Sequence, residues 1–292
     1  MMERHALEQA FRAFLDAREQ LPLAPDFPFR FDLVDEVKSG PWRGIARLML
    51  ADHLNETTNL MNEWWSRLRD WNAWLAVHDA IADEQEAWWL RRDLIEPLVF
   101  WCMLRPSAMR DLFGLIATHA MHQANLVVDR NYRDRLDEDA RGRPLKRSSR
   151  EQQLCRIGER WSGCKRFAAC LTEADCKAYR DLTFDYRNLA SHGMAPQFEF
   201  GHTDFVRRAV VPKTEIVLNA DGTYSMNESS TKTAVSYAFG GTPPLKLREM
   251  HAANQSEFAH ARAAFEAYRD LLRELLAAIR SAAAEGPYSV RQ

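Results

Sequence analysis

The residues best suited to chemistry in this chain lie in the segment 185–193, which reads Asp-Tyr-Arg-Asn-Leu-Ala-Ser-His-Gly. The guanidinium group of Arg187 can hold a phosphate through two parallel hydrogen bonds. A helix C-terminus at His192 would favour the protonated imidazole, which is a proton donor near neutral pH. Asn188 precedes His192 by four residues and therefore shares its face of a helix. An arginine and a histidine, without a metal, form a plausible set for cleaving RNA through its own 2′-hydroxyl group.

A purely structural role explains the same residues. Arginine and histidine side chains near a helix end often bind the last carbonyl groups or pair with a carboxylate such as Asp185. Arg187 and His192 are also about 140° apart on an ideal helix, so only the length of Arg187 brings both to one ligand. Spacing alone leaves both roles open.

The run Arg187-Asn188-Leu-Ala-Ser-His192, in an otherwise helical chain, resembles the HEPN superfamily of higher eukaryotes and prokaryotes nucleotide-binding proteins. The hallmark of that family is an arginine, four to six residues and a histidine, often with Asn, Asp or His directly after the arginine. The resemblance covers residues 42–196 and the final helix. It implies a bundle of four or five helices that dimerises so that two motifs face one cleft.

The resemblance also implies a function. Many members are metal-independent endoribonucleases without a cofactor, and many serve as toxins held by an antitoxin or in antiviral defence. In that role Arg187 would bind and stabilise the scissile phosphate of RNA, His192 would be general acid or base, and Asn188 would orient His192 or the phosphate. The alternative is a catalytically inactive HEPN-like module that binds a nucleotide, an RNA or a protein partner.

The composition limits the class of protein. The chain has 292 residues, of which 46% are apolar, and a net charge of −2, so it is not an electrostatic nucleic-acid binder as a whole. Only 12 Gly and 12 Pro indicate helices. The longest uncharged stretch, 112–128, contains two histidines and predicts a buried helix rather than a membrane span. The N-terminus lacks an apolar signal region, so we expect a cytoplasmic protein.

Three further groups of residues have candidate roles. The segment 141–150 holds five bases and no acid, which indicates either a solvated loop or a phosphate-contacting loop. His119 and His122 share a helical face, but no carboxylate or thiol motif accompanies them, so we predict no metal site. The five cysteines lack a C-x-x-C pair, and we expect free thiols rather than disulfides or zinc ligands.

Hydrophobic periodicity predicts a mainly α fold, an HEPN-like antiparallel helical bundle with a small antiparallel β insert before the C-terminal helix. Residues 1–41 are predicted to be an N-terminal helix and a proline-rich connector, with a short extended segment at 27–33. Residues 42–292 are predicted to be the helical domain, with a hairpin or meander at about 205–245. The predicted helices span residues 3–20, 42–78, 87–104, 107–135, 150–171, 172–192 and 252–284. The predicted strands span residues 214–218, 223–225 and 232–239.

Two apolar patterns predict packing. Seven of the nine tryptophans fall between Trp64 and Trp101, and we expect those on the long helix to lie in the core. An exposed apolar patch around Trp64, Trp65, Trp88 and Trp89 would instead indicate a scaffold protein. In the last helix an apolar seam runs from Phe258 to Ile279 in steps of three and four, suited to packing within a bundle or across a dimer.

Overall fold

The structure, a computed structural model, describes residues 4–22, 27–142 and 145–285. It is mainly helical with a β insert before the last helix, which confirms the predicted fold class at that level. The helices of the described residues are α1 (Arg4–Gln20), α2 (Asp32–Ser39), α3 (Ala46–Ala80), α4 (Glu84–Leu90), α5 (Glu96–Val128), α6 (Asp137–Arg141), α7 (Arg147–Ile157), α8 (Ser162–Glu173), α9 (Lys177–Leu182), α10 (Tyr186–Ser191) and α11 (Leu247–Ala284). The strands are β1 (Thr203–Leu218) and β2 (Tyr224–Thr242). Among the described helices, none has a stretch long and apolar enough to cross a membrane.

The helices α1, α3 and α11 lie where the periodicity placed them. The predicted helices 87–104 and 107–135 are instead continuous, because α4 joins α5 through the π-helical turn Arg91–Ile95. Pro97 lies in the first turn of α5, directly after the π-helical turn. The interruption expected inside the second helix therefore falls at the π turn that precedes Pro97.

The connector contains a helix rather than the expected extended segment. Leu33 and Val37, four residues apart on α2, are both buried. Their helical spacing determines the local structure, although the alternating Phe27, Phe29 and Phe31 suggested a strand. The prediction of an extended segment at 27–33 was therefore wrong for its last two residues, which begin α2.

The helix predicted at 150–171 is two helices, α7 and α8. They separate at Gly158, where a Cβ atom would lie 2.1 Å from the sulfur of Cys164. Trp161 follows, and its indole N–H donates to the side-chain oxygen of buried Asn125 at 3.0 Å. The turn allows the two helices to approach closely at Gly158. The hydrophobic periodicity does not predict this approach.

The capping box predicted at Thr172–Asp175 does not form. The Thr172 hydroxyl donates to the carbonyl of Ala169, inside α8. Asp175 takes a left-handed conformation with φ of 49°, and its backbone N–H donates to the Glu257 carboxylate at 2.7 Å. A tertiary acceptor thus replaces the local cap.

The chain divides into two compact units. The helical unit comprises the chain up to Leu182 and from Leu247 onward, and the ribbon unit comprises Thr183–Lys246. In the helical unit, α11 packs on α5, α8 and α3, while α1 and α2 pack on α3. The predicted seam of α11 is confirmed, since all of its residues are buried in this contact: Phe258, Ala261, Phe265, Tyr268, Leu272, Leu275 and Ile279. This seam is therefore used within the chain and is not a dimer surface.

The tryptophans of α3 are largely core residues, as predicted. Trp64 and Trp71 are completely buried, and Trp74 is buried beneath stacked Phe14 of α1. Trp65 on α3 and Trp88 and Trp89 on α4 are half-buried, so they do not form the exposed patch that a scaffold role would require.

One completely buried amide connects four helices of this unit. The side-chain oxygen of Asn254 on α11 accepts the indole N–H of Trp64 on α3 at 2.9 Å. Its nitrogen donates to the carbonyl of Cys102 on α5 at 3.2 Å and to the hydroxyl of Tyr179 on α9 at 3.0 Å. Burial raises the pKa of the Tyr179 hydroxyl, which stays neutral. A polar side chain in this position selects one arrangement of the four helices, because any other leaves buried donors unpaired.

The ribbon unit contains a single two-stranded antiparallel ribbon. Val206 pairs with Phe239 in its first half, and Ile216 pairs with Met226 in its second half. The register shifts between Pro212 and Thr214, where proline supplies no N–H to the ladder. The predicted strands at 214–218 and 223–225 are the outer parts of β1 and β2. The third predicted strand, 232–239, is the inner part of β2 rather than a separate strand.

We expect Asn254→Leu to lower the free energy of unfolding by about 3 kcal/mol, because the N–H of Trp64 and the hydroxyl of Tyr179 lose their buried partner. Urea denaturation measures this change. Gln255→Leu, at the exposed neighbouring position of α11, is the control and should alter stability by less than about 0.5 kcal/mol. Equal stability of the two variants would contradict a structural role of the amide.

Candidate functional site

The motif residues lie on a short helix, not on the long one that the periodicity predicted. The helix expected from 172 to 192 is broken between α9 and α10 because Phe184 and Asp185 both take left-handed conformations, with φ of 54° and 52°. Left-handed residues cannot continue a right-handed helix. After the break Tyr186 is buried against Phe198 of the same unit, with ring centroids 5.7 Å apart. This contact anchors α10 in the ribbon unit.

The end of α10 follows the prediction. Gly193 adopts a φ of 71°, and its N–H donates to the carbonyl of Ala190. The N–H of Met194 donates to the carbonyl of Leu189 at 2.9 Å. This pair of bonds is a Schellman motif, which requires a residue without strain in the left-handed region. It leaves His192 as the last residue before the turn, outside the regular helix.

The three candidate side chains, Arg187, Asn188 and His192, are all exposed. Their backbone is held in the helix end, where the carbonyl of Asn188 accepts the hydroxyl of Ser191 at 2.7 Å and the N–H of His192 donates to the carbonyl of Leu189 at 3.1 Å. None of the three side chains forms a hydrogen bond or ion pair with any other residue that the structure describes. The predicted alternative, a pair between this arginine or histidine and Asp185, is therefore not what the structure contains.

This arrangement is suited to contacts with a ligand that arrives from solvent. Arg187 presents a full set of guanidinium donors, and the imidazole of His192 can accept or donate a proton. Within the described part of the chain no carboxylate or carbonyl orients the His192 ring. One copy of the site can therefore bind a phosphate, whereas proton transfer needs a substrate or a second copy to position the imidazole.

Comparisons with known proteins return no family for this chain: no protein-family model, no curated protein and no solved structure matches it. The HEPN resemblance therefore rests on Arg187, Asn188 and His192 and on the helical context.

The basic segment 141–150 is mainly part of the fold. Arg147 begins α7, and its Nε donates to the Asp111 carboxylate at 2.9 Å. One terminal nitrogen donates to the Ser107 hydroxyl at 2.8 Å, and the other contacts the buried carboxylate of Asp175. The guanidinium group is thus surrounded by protein acceptors and is not available to a phosphate.

The remaining basic residues of this segment differ in their surroundings. Arg150 lies 3.6 Å from the same Asp111 carboxylate, and Lys146 is exposed. Arg143 and Pro144 lie outside the described residues, as does the side chain of Arg141. Arg147 therefore cannot contact a phosphate as part of this loop. Among the described side chains of the segment, Lys146 is the only exposed cation.

The two helical histidines have separate partners. The His122 ring lies 2.9 Å from the Tyr132 hydroxyl through Nδ1 and 2.8 Å from the Asp134 carboxylate through Nε2. His119 stacks on His53 with centroids 5.5 Å apart, and burial lowers the pKa of both rings. Among the described residues, no group of three His, Cys, Asp or Glu is arranged to hold a metal ion.

All five cysteines are free thiols. Cys102 and Cys164 are buried, and burial raises the pKa of Cys164 to about 11. Cys155 is the exposed member of the set. The buried pair behaves as small apolar side chains in the core.

The sequence analysis missed a second cluster of candidate residues, which lies in the helical unit. Arginines on α8, on α11 and before α2 line one cleft with two phenylalanines. On α11 the charges recur at Arg262, Glu266, Arg269 and Arg273, on the face beside the apolar seam. The spacing on α11 could have indicated this cluster from the sequence. Arg30, which precedes α2, joins the cluster only in the folded chain.

We expect Arg147→Ala to lower the free energy of unfolding by about 2 kcal/mol, because the buried Asp175 carboxylate loses the nearer of its two arginines and keeps Arg180 at 3.6 Å. Chemical denaturation measures the loss. Lys146→Ala, one residue earlier and exposed, is the matched control and should change stability by less than about 0.5 kcal/mol. If the two variants are equally stable, Arg147 is not a structural residue.

Proposed function

We propose that this chain is a metal-independent endoribonuclease of HEPN type that acts as a homodimer, in a toxin or antiviral defence role. The observation that carries the proposal is the placement of Arg187, Asn188 and His192. All three are exposed at the end of one short helix, and none has a side-chain partner among the described residues. An arginine and a histidine five residues apart at one helix end, both exposed and in the R-N-x-x-x-H pattern, favour contact with a phosphodiester.

The chemistry follows from these side chains. One imidazole, as general base, removes the proton of the 2′-hydroxyl, and the oxygen forms a new bond to phosphorus. Arg187 stabilises the negative charge of the phosphorane. The bond from phosphorus to the 5′-oxygen then breaks, and a protonated imidazole gives its proton to that leaving oxygen. The products are a 2′,3′-cyclic phosphate and a 5′-hydroxyl group.

A homodimer supplies what one copy lacks. A single His192 cannot be base and acid on opposite sides of the same phosphate at once, whereas two copies provide one imidazole for each task. The α11 seam is occupied within the chain, so the dimer needs another apolar surface. The ribbon unit, which also carries His192, offers one on the inner half of β1 and β2.

That surface is one face of the ribbon, where exposed apolar residues flank Arg208, which pairs with Tyr237. Val206 pairs directly with Phe239, and Val210 pairs with Val235, so all four point to the same side as Tyr237. Phe239 is 93% exposed and Tyr237 is 66% exposed. An exposed apolar face of this kind, on a ribbon with open edges, favours association.

A second candidate function is supported by one observation. No described side chain orients His192, and this favours a non-catalytic module that binds RNA, a nucleotide or an antitoxin through the same residues. Arg187 would then contribute to affinity, while His192 would be replaceable.

The decisive experiment incubates the purified protein with end-labelled RNA in EDTA and detects cyclic-phosphate ends. We expect wild-type protein to cleave RNA but not its 2′-deoxy analogue, because the nucleophile is the 2′-hydroxyl. His192→Ala and Arg187→Ala should each lower the rate at least about a hundredfold, the usual contribution of a general acid–base or of a phosphate-stabilising donor. Asn188→Ala should have a smaller effect.

Matched controls are His5→Ala and Arg130→Ala, exposed residues of the same types outside the motif. Both should cleave at the wild-type rate. Cleavage by wild-type protein at the rate of His192→Ala would refute the catalytic proposal. RNA retained by wild-type protein and by His192→Ala, without cleavage, would establish the binding module instead.

Sedimentation velocity tests the dimer. We expect wild-type protein to dimerise and the double variant Tyr237→Ser/Phe239→Ser to be monomeric with unchanged helix content, because the apolar face is lost. Ala238→Ser, on the opposite face of the same strand, is the control and should remain dimeric. A wild-type protein that stays monomeric at micromolar concentrations would contradict this assignment.

A further inference from the structure

A cleft of about 780 Å³ opens in the helical unit between the segment 27–32, α8 and α11. Its volume is in the range of sites that hold small organic molecules. The cleft belongs entirely to the helical unit, whereas Arg187 and His192 belong to the ribbon unit. The lining of this cleft therefore shares no residue with the proposed RNA site.

The charges of the cleft do not balance. Its arginines are Arg30, Arg166, Arg262, Arg269 and Arg273, and its carboxylates are Asp32, Glu266 and Asp270. Among the lining residues that the structure describes, arginines therefore outnumber carboxylates by two. Clustered like charges cost free energy in the empty protein, and a bound anion would remove that cost.

One carboxylate is shared by two arginines at the mouth of the cleft. The Asp270 carboxylate accepts a terminal nitrogen of Arg166 at 3.0 Å on one oxygen and a terminal nitrogen of Arg273 at 2.8 Å on the other. Each guanidinium group has five N–H donors and uses one of them in this contact. The shared carboxylate holds the two cations close together and leaves donors for a ligand.

A buried arginine fixes the loop on the other side. Arg269 donates to the backbone carbonyl of Arg30 at 3.0 Å and to the Asp32 carboxylate at 2.6 Å, and this bond lowers the pKa of Asp32. The loop is thereby fixed to α11. The side chain of Arg30 itself is exposed and forms no hydrogen bond or ion pair with any residue that the structure describes.

The remaining wall is aromatic and firmly packed. Phe27 stacks on Trp65 of α3 with centroids 5.2 Å apart, and the guanidinium group of Arg262 lies 5.1 Å from the Phe27 ring. Phe29 is buried, with its ring centroid 4.9 Å from that of Phe265. An apolar surface thus lies in the same cleft as the arginines.

We propose that this cleft binds a small phosphomonoester whose organic part is apolar. A phosphomonoester carries close to two negative charges at neutral pH, which matches the surplus of two positive charges. The guanidinium groups of Arg30 and Arg273 bind its oxygens in two-pronged contacts, and the phenylalanine wall covers the organic part. A carboxylate or a phosphodiester carries only one charge and leaves one arginine uncompensated.

Isothermal titration calorimetry of the full chain, at constant ionic strength, tests this site with phenyl phosphate, inorganic phosphate and benzoate as probes. We expect saturable binding of phenyl phosphate with a Kd below about 1 mM. Inorganic phosphate should bind more weakly because it lacks the apolar group. Benzoate should also bind more weakly, because it carries one negative charge instead of two. The double variant Arg30→Gln/Arg273→Gln should weaken phenyl phosphate binding at least about tenfold.

Arg280→Gln is the matched control, since Arg280 lies on the same helix, outside the cleft, with its side chain 50% exposed against 49% for Arg273. It should bind phenyl phosphate as wild type does. Absence of saturable binding, or equal weakening by Arg280→Gln and the double variant, would overturn the proposal. Short RNA that binds through Arg30 and Arg273 when phenyl phosphate does not would overturn it as well, because the site would then recognise a phosphodiester.

Discussion

The helical unit depends on the need to pair one buried amide. Asn254 is completely enclosed, and its three hydrogen bonds reach Trp64, Cys102 and Tyr179 on three different helices. Apolar contacts between long helices tolerate small slides and rotations, whereas an unpaired amide in the core does not. The apolar seam of α11 thus contributes buried area, and the hydrogen bonds of Asn254 favour one register in which α3, α5, α9 and α11 meet.

The same requirement, that buried charge be paired, separates arginines that hold the fold together from arginines that remain accessible to a ligand. Arg147 and Arg269 are held by carboxylates and carbonyl groups, so they fasten a helix start and a loop. Arg187 and Arg30 are exposed and have no side-chain partner in the described chain. The two kinds cannot be told apart by composition, because the difference lies in what surrounds each guanidinium group.

The two units differ in the burial of their apolar residues. In the helical unit, apolar side chains at helical spacing are buried between helices. In the ribbon unit, Val206, Tyr237 and Phe239 face solvent, since a two-stranded ribbon has no second layer to cover either face. An assembly through this face would bring together copies of the unit that carries Arg187 and His192.

The sequence by itself determined the helical class, the seam of α11, the end of α10 at Gly193 and the position of the β insert. These features depend on local periodicity or on one residue's backbone preference, so a linear pattern contains them. Only the tertiary structure decided that Phe184 breaks the motif helix, that Arg147 is occupied by acids from other helices, and that Arg30 meets arginines more than a hundred residues away. Those outcomes depend on contacts between distant segments, and no local pattern records which charges and rings will meet once the helices pack.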